Sequence, residues 1–142
     1  ALSIGDDAAA VNRVDHVVIG TRDPDHVVSL YGGALGIRLA LDRSFESRGI
    51  RLLFFRLGEA TLEFSAPLRE GAELSVGSED ADHLWGLAYQ VPDADRAWAR
   101  LQDAGFETTS VRSGHKPGTR VFTVKSSPLG IPSLVIEPVS SL

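Results

Sequence analysis

The sequence predicts an α+β fold built from two copies of one β-α-β-β-β unit. Three observations lead to this prediction: the size of the chain, a repeat in the order of elements, and the alternation of apolar residues within short runs. The chain has 142 residues, 43% of them hydrophobic, so it can bury one core without disulfides or a structural metal. A half of about 70 residues is marginal alone, so we expect the two copies to share a core or to pair their sheets.

The repeat relates two segments that begin near residues 14 and 84. Each segment begins with an apolar run, continues through a turn rich in aspartate, and enters a helical pattern. Asp23 matches Asp93 at an offset of 70 residues, whereas Gly36, placed to cap the end of the helix, matches Gly105 at an offset of 69. The two halves therefore carry the same elements in the same order.

In the first repeat, the pattern predicts one helix and four strands. Asp23 or Asp25 caps the helix, and apolar residues recur at helical spacing as far as Leu35. Gly58-Glu59, between two runs of alternating residues, is typical of a hairpin turn. In chain order, the predicted elements are strand Val14–Gly20, the helix to about Leu35, and strands Arg38–Arg43, Ile50–Leu57 and Ala60–Ser65.

The second repeat predicts the same series of elements. Its helix places Ala94, Ala97 and Leu101 on one apolar stripe. Residues 121–124 match residues 52–55 of the first repeat, again at an offset of 69. In chain order, the predicted elements are strand Trp85–Val91, helix Ala94–Ala104, and strands Phe106–Val111, Thr119–Lys125 and Ser133–Glu137.

These elements define one domain, residues 14–138, made of the repeats 14–66 and 84–138. We expect residues 1–13 to form an N-terminal extension. Residues 67–83 are expected to be a solvated linker between the repeats, because acidic side chains are concentrated there.

Charge and composition exclude several classes of partner. The net charge of −5 provides no basic surface for nucleic acid, and no apolar run approaches the roughly 18 residues of a membrane helix. The chain has no cysteine, so any metal site must use His, Asp and Glu. Because the N-terminal residues lack a basic segment and an apolar stretch, we expect a cytoplasmic protein.

The alternation of side chains between the two faces of two predicted strands predicts a ligand-binding pocket. In Ala60–Ser65, Leu62 and Phe64 face one way, towards the predicted helix, and Glu63 faces the other. In the first strand, His16 lies on the corresponding second face. If these second faces curve towards each other, they enclose a pocket that contains an imidazole and a carboxylate.

The first repeat begins with Asp15-His16-Val17-Val18 and ends with Thr61-Leu62-Glu63-Phe64, and the second ends with Val135-Ile136-Glu137-Pro138. With these motifs, the duplicated units resemble the vicinal oxygen chelate superfamily. This superfamily includes glyoxalase I, extradiol dioxygenases, methylmalonyl-CoA epimerase, fosfomycin resistance proteins and bleomycin-binding proteins. The resemblance covers residues 14–138 and implies paired βαβββ modules whose curved sheets surround a cavity for a small molecule. It leaves a homodimer open and does not specify the reaction.

The resemblance also implies up to four metal-ligand positions, on the first and last strand of each module. His16 matches the first position and Glu63 the second, whereas Gly86 and Leu134 fall where those members carry His and Glu. Glu137 is an odd three residues after Leu134, so we expect it to point to the other face. Because a catalytic metal commonly has three protein ligands, a divalent metal is not favoured, and the cofactor is left unknown.

Two functions follow from this set of residues. In the first, the protein binds a small organic ligand in the cavity, with a degenerate metal site and with Gly86, Leu134 and Arg120 among the ligand-binding residues. In the alternative, it is a metal-dependent lyase, isomerase or dioxygenase in which His16 and Glu63 act with a further ligand, or in which Glu63 is a general base. The sequence does not decide between a binding protein and an enzyme.

Overall fold

The computed structural model describes residues 7–69, 82–125 and 130–139. Most of the predicted linker, including its residues 70–81, lies outside the described residues. The chain divides into two compact units. The first-repeat unit is His16–Trp85, and the second-repeat unit consists of the described residues of Ala1–Asp15 and Gly86–Leu142.

The first-repeat unit contains the sheet order β2-β3-β4-β1. Strand β1 is parallel to β4, and the β2–β3 and β3–β4 pairs are antiparallel. The turn between β3 and β4 contains Gly58 at φ 59°, a left-handed conformation that glycine adopts without strain. The elements are β1 Arg13–Gly20, α1 Pro24–Val27, a π-helix Val28–Ala34, β2 Arg38–Phe45, a 3-10 turn Glu46–Arg48, β3 Ile50–Leu57 and β4 Ala60–Pro67.

One face of this sheet packs against the helix. Val27 from α1 is buried with Leu53, Phe55 and Phe64, and Tyr31 of the π-helix contacts the two phenyl rings at centroid distances of 6.0 and 4.9 Å. The apolar side of β4 therefore takes the helix, as its alternation predicts. Burial of these side chains is the main source of stability in this unit.

The first helix differs from the predicted regular helix because most of it is a π-helix. The Leu35 N–H donates to the Leu30 carbonyl oxygen, five residues back, over 2.8 Å. The change of repeat offset from 70 to 69 means that this segment is one residue longer than its counterpart in the second repeat. Because a π-turn has one more residue than an α-turn, it accommodates this extra residue between fixed ends.

The second-repeat unit has the sheet order β5-β8-β7-β6, with β5 parallel to β8. The predicted strand Phe106–Val111 is wrong. Thr108 makes one isolated bridge to Val124, and the strand itself is only the pair Arg112–Ser113, because the chain leaves the sheet between these points. The elements are β5 His83–Gln90, α2 Ala94–Asp103, β6 Arg112–Ser113, β7 Arg120–Val124 and β8 Ser133–Glu137.

The core of this unit repeats the arrangement of the first. Ala94 and Ala97 of α2 are buried against Phe122 of β7 and Val135 of β8. The residues before β1 also belong here, since the Ala8 carbonyl accepts from the Asp93 N–H over 3.0 Å and Ala9 packs on the core. Part of the expected N-terminal extension is thus packed against the second repeat.

Both helices begin at a matching aspartate. The Asp23 carboxylate accepts from the His26 N–H at 3.0 Å, and the Asp93 carboxylate accepts from the Arg96 N–H at 3.1 Å. No helix among the described residues is long and apolar enough to cross a membrane. The α+β class and the two β-α-β-β-β repeats are confirmed.

Candidate functional site

His16 and Glu63 lie on the same face of the first-repeat sheet, opposite α1. In the parallel β1–β4 pair, His16 is opposite Thr61, and Val18 is opposite Glu63. Side chains at opposite positions point to the same face, so the imidazole and the carboxylate are diagonal neighbours. We call this surface the distal face; its residues include His16, Val18, Arg38, Leu41, Leu52, Phe54, Arg56, Thr61 and Glu63.

The surroundings of Glu63 are apolar. Phe54 of β3 is its antiparallel partner, Val18 of β1 is its parallel partner, and Leu41 of β2 is opposite Phe54. All four side chains are partly buried. A partly desolvated carboxylate has few competing water contacts, so it interacts strongly with a donor or with an acidic proton of a bound molecule.

A row of basic side chains crosses the distal face next to Glu63. Arg56 is opposite Thr61 on β4 and opposite Arg38 on β2, and Thr61 is in turn opposite His16. The Arg56 Nη1 donates to the Thr61 hydroxyl over 2.7 Å, and its Nη2 donates to the Gly58 carbonyl over 3.3 Å. We call His16, Arg56 and Arg38 the basic row.

The corresponding face of the second-repeat unit has lost these groups. Leu134 of β8 is opposite Ala88 of β5, which places it on the same face as Gly86. A Cβ atom at Gly86 would lie 3.3 Å from the Pro132 carbonyl oxygen, a tight contact with backbone. A side chain at position 86 would therefore require a small shift of the Pro132 backbone.

Glu137 and Arg120 lie on the helix side of the second-repeat sheet. Arg120 of β7 is opposite Glu137 of β8, and a Glu137 carboxylate oxygen accepts from the Ala94 N–H at the start of α2 over 2.9 Å. The predicted orientation of Glu137, away from Leu134, is confirmed. Its carboxylate binds an N–H in the first turn of α2 and also complements the helix dipole.

The placement of Arg120 corrects the expectation that it reaches the cavity face. Its Nη2 donates to Asp95 of α2 over 2.7 Å, and this hydrogen bond raises the pKa of the guanidinium. At the repeat offset of 69, Arg120 matches Arg51, whose Nη1 donates to Asp25 over 3.0 Å. Both arginines tie the start of a helix to the sheet, and the offset would have revealed this shared structural role.

The donor set does not fit a metal centre of the three-ligand type. His16 and Glu63 supply donors, but Gly86 and Leu134 have none. Across residues 7–69, 82–125 and 130–139, no three His, Asp or Glu side chains are grouped closely enough to hold an ion. Neither Glu137 nor His83, whose buried Nε2 has no hydrogen-bond partner among these residues, completes such a group.

Arg56, Thr61 and Arg38 are the site residues that sequence reasoning missed. Arg56 shares the parity of Leu52 and Phe54 on β3, so alternation alone places it on their face. That Arg56 lies in one row with His16 follows only from the register of strands β3, β4 and β1, and the sequence pattern does not determine that register.

Comparison with known families identifies the superfamily. Residues 15–123 match the model of the glyoxalase/bleomycin resistance protein/dioxygenase superfamily. The chain belongs to this superfamily. A comparison with curated proteins gives no significant match.

Solved structures with the same fold include methylmalonyl-CoA epimerases. The enzyme from Mycobacterium tuberculosis is 24% identical with a TM-score of 0.67, covering 92% of this chain and 90% of that chain. A Streptomyces coelicolor variant in complex with 2-nitronate-propionyl-CoA is 21% identical with a TM-score of 0.67, covering 92% and 100%. Hypothetical protein BH1468 from Bacillus halodurans C-125 is 19% identical with a TM-score of 0.70, covering 92% and 96%. These likenesses show the fold.

Proposed function

We propose that this superfamily member binds a small organic ligand on the distal face of its first-repeat unit, with the metal-ligand positions incomplete. The observation that carries the proposal is the half-buried Glu63 carboxylate, which lies beside His16 on a face rich in partly buried apolar side chains. Binding sites for small molecules commonly combine a mainly apolar lining with a few placed polar groups.

The apolar part of the site comes from three strands. Leu41, Phe54 and Val18 lie in one cross-strand row with Glu63, and Leu52 is in the next row. This row offers an apolar ligand body a surface, and Glu63 offers it one strong acceptor. Burial of the apolar surfaces of the ligand and of this row supplies the affinity, and the hydrogen bond to the Glu63 carboxylate fixes the orientation of the ligand.

The test is titration with N-phenyl-1-naphthylamine, an uncharged dye whose fluorescence increases in apolar sites. We expect saturable binding that weakens about tenfold in Phe54→Ala, because the loss of an aromatic contact costs on the order of 1 to 2 kcal/mol. The matched control is Leu57→Ala, since Leu57 is on the same strand, is 52% exposed and has the opposite parity. Absence of saturable binding, or equal effects of both variants, would refute the proposal.

A second candidate function is proton transfer at a carbon next to a carbonyl. The observation that favours it is the position of the Glu63 carboxylate between Val18 and Phe54 with the basic row beside it, because a general base must lie where a substrate can reach it. The carboxylate takes the proton and becomes a carboxylic acid, and the C–H electron pair moves into an enolate whose oxygen is stabilised by a hydrogen bond from the neighbouring basic side chains. The structural likeness to methylmalonyl-CoA epimerases suggests methylmalonyl-CoA as the first compound to test.

This second candidate is tested by incubating the protein with methylmalonyl-CoA in D2O. We expect deuterium to appear at the α-carbon in the native protein and not in Glu63→Gln, which preserves shape but removes the base. Glu137→Gln is the matched control, because Glu137 closes the other repeat and binds the helix N–H instead. If the native protein exchanges no deuterium, or if Glu63→Gln exchanges as fast, this candidate is excluded for that substrate.

A further inference from the structure

We infer that the basic row, His16, Arg56 and Arg38, is an anion-binding site that takes a carboxylate or phosphate group of the ligand. The inference rests on the proposed function, because it assigns the charged end of a ligand whose apolar body lies on the same face. It adds a requirement that the proposed function lacks: the preferred ligand carries a negative charge.

The first support is the lack of a counter-ion for Arg56. Arg51, Arg100 and Arg120 each form an ion pair, with Asp42, Asp7 and Asp95 respectively. Arg56 is partly buried, yet among the described residues no carboxylate lies within ion-pair distance of it. A partly desolvated cation without a counter-ion is costly, and a bound anion would offset that cost.

The second repeat offers an internal comparison. At the offset of 69, Arg56 matches Lys125, whose Nζ lies 3.8 Å from a Glu107 carboxylate oxygen. The same position thus has a protein carboxylate in one repeat and, within residues 7–69, 82–125 and 130–139, none in the other. The repeat that contains Arg56 is also the one that contains His16 and Glu63.

The third support is the like-charge pair across two strands. Arg38 on β2 is directly opposite Arg56 on β3, and like charges at opposite positions of an antiparallel pair repel each other. An anion between the two guanidinium groups would convert this repulsion into attraction.

The geometry of Arg56 leaves donors for such an anion. A guanidinium has five N–H donors, and two of them bind the Thr61 hydroxyl and the Gly58 carbonyl. These two bonds fix the plane of the group. The other three make no hydrogen bond within the described part of the chain and are available for a bidentate contact with a carboxylate or phosphate.

The experiment compares two dyes that share one aromatic body. 1-Anilinonaphthalene-8-sulfonate carries an anionic group, and N-phenyl-1-naphthylamine does not. We expect the anionic dye to bind about tenfold more tightly to the native protein, and Arg56→Gln to remove this advantage by weakening the anionic dye about tenfold more than the neutral dye. Arg38→Gln, at an exposed position, should reduce the advantage in the same direction.

Controls separate a specific row from a general electrostatic effect. Arg69→Gln removes one charge at an exposed position after β4, off the row, and should leave both dyes unaffected. Competition of benzoate and of phenyl phosphate against the anionic dye distinguishes a carboxylate site from a phosphate site, with benzyl alcohol as the neutral competitor.

The outcomes are separable from those of the proposed function. Equal affinity for the two dyes, an unchanged advantage in Arg56→Gln, or an equal loss in Arg69→Gln would overturn the anion site even if the neutral dye binds. Failure of the neutral dye to bind, or no response to Phe54→Ala, would instead refute the proposed function. If Arg56→Gln unfolds, Arg38→Gln decides the question.

Discussion

The two repeats have nearly the same helix side and very different opposite sides. On the helix side, a buried phenylalanine of β3 or β7 packs against the helix, and an arginine binds an aspartate in the first helical turn: Phe55 and Arg51–Asp25 in one repeat, Phe122 and Arg120–Asp95 in the other. On the opposite side, His16 and Glu63 in the first repeat correspond to Gly86 and Leu134 in the second.

This difference separates structure from chemistry. Features that both repeats retain, such as the paired arginine and aspartate, are needed by each unit to hold its helix on its sheet. Features present in one repeat only are not required by the fold; examples are Glu63 and Arg56, which has no ion pair within the described ranges. They are therefore the better candidates for function.

The largest effect expected from this comparison concerns the shared helix side. Phe55→Ala and Phe122→Ala each remove a fully buried ring, and each should lower the free energy of unfolding by about 3 to 5 kcal/mol. Chemical denaturation monitored by circular dichroism measures both. A loss below about 1 kcal/mol in either variant would show that the two cores are not equivalent.

The next effect distinguishes the two glutamates. Glu137→Ala leaves the Ala94 N–H without its acceptor at a buried position, so we expect a loss of about 1 to 3 kcal/mol. Glu63→Gln should change stability by less than this and should act on ligand binding or proton exchange. Thermal melts combined with dye titration check both, and the reverse pattern would contradict the assignment of roles.

A smaller, pH-dependent effect concerns the arginines that hold the helices. The hydrogen bond from Arg51 lowers the pKa of Asp42. The stabilisation is therefore present above the ordinary carboxyl pKa near 4 and is lost as pH falls through the lowered folded-state value. Because Asp42 is 39% exposed, Arg51→Gln should cost only about 0.5 to 1 kcal/mol at pH 7.

This effect should disappear on acidification. Unfolding curves of the native protein and Arg51→Gln, measured between pH 7 and about pH 2, should converge at the acid end. Arg120→Gln provides the matched variant in the second repeat. A difference that persists at low pH would mean that Arg51 acts through packing rather than through its carboxylate partners.

The smallest effect tests the difference between the helices. Gly33 lies in the π-helix, has no positive φ, and has no atom within 4 Å of the position of an added Cβ. Gly33→Ala should raise the free energy of unfolding by about 0.4 to 1 kcal/mol, because alanine restricts the unfolded chain. Destabilisation in a denaturant titration would indicate that the extra residue needs glycine flexibility.

Much of the fold could be predicted from local pattern. The bounds of β3 and β8, the cap at Asp23, and the glycines that end the helices follow from alternation, hydrogen-bonding preference and freedom from a Cβ clash. The strand expected at Phe106–Val111 failed because this segment pairs with β7 only around Thr108 and leaves the sheet before Val111, and strand propensity alone does not set the length of a pairing. The π-helix was signalled by the change of offset, yet the helical pattern alone indicates an ordinary α-helix.

The candidate site was also predicted only in part from the local sequence pattern. Alternation of side chains determined that Glu63 and His16 avoid the helix side, and composition determined that any metal site must use His, Asp and Glu rather than cysteine. Only the tertiary structure decided that Arg56, Thr61 and His16 form one row and that Arg120 belongs to Asp95. The reason is physical: period-two alternation fixes the face of a side chain within its own strand, whereas the register between strands depends on packing across the whole sheet.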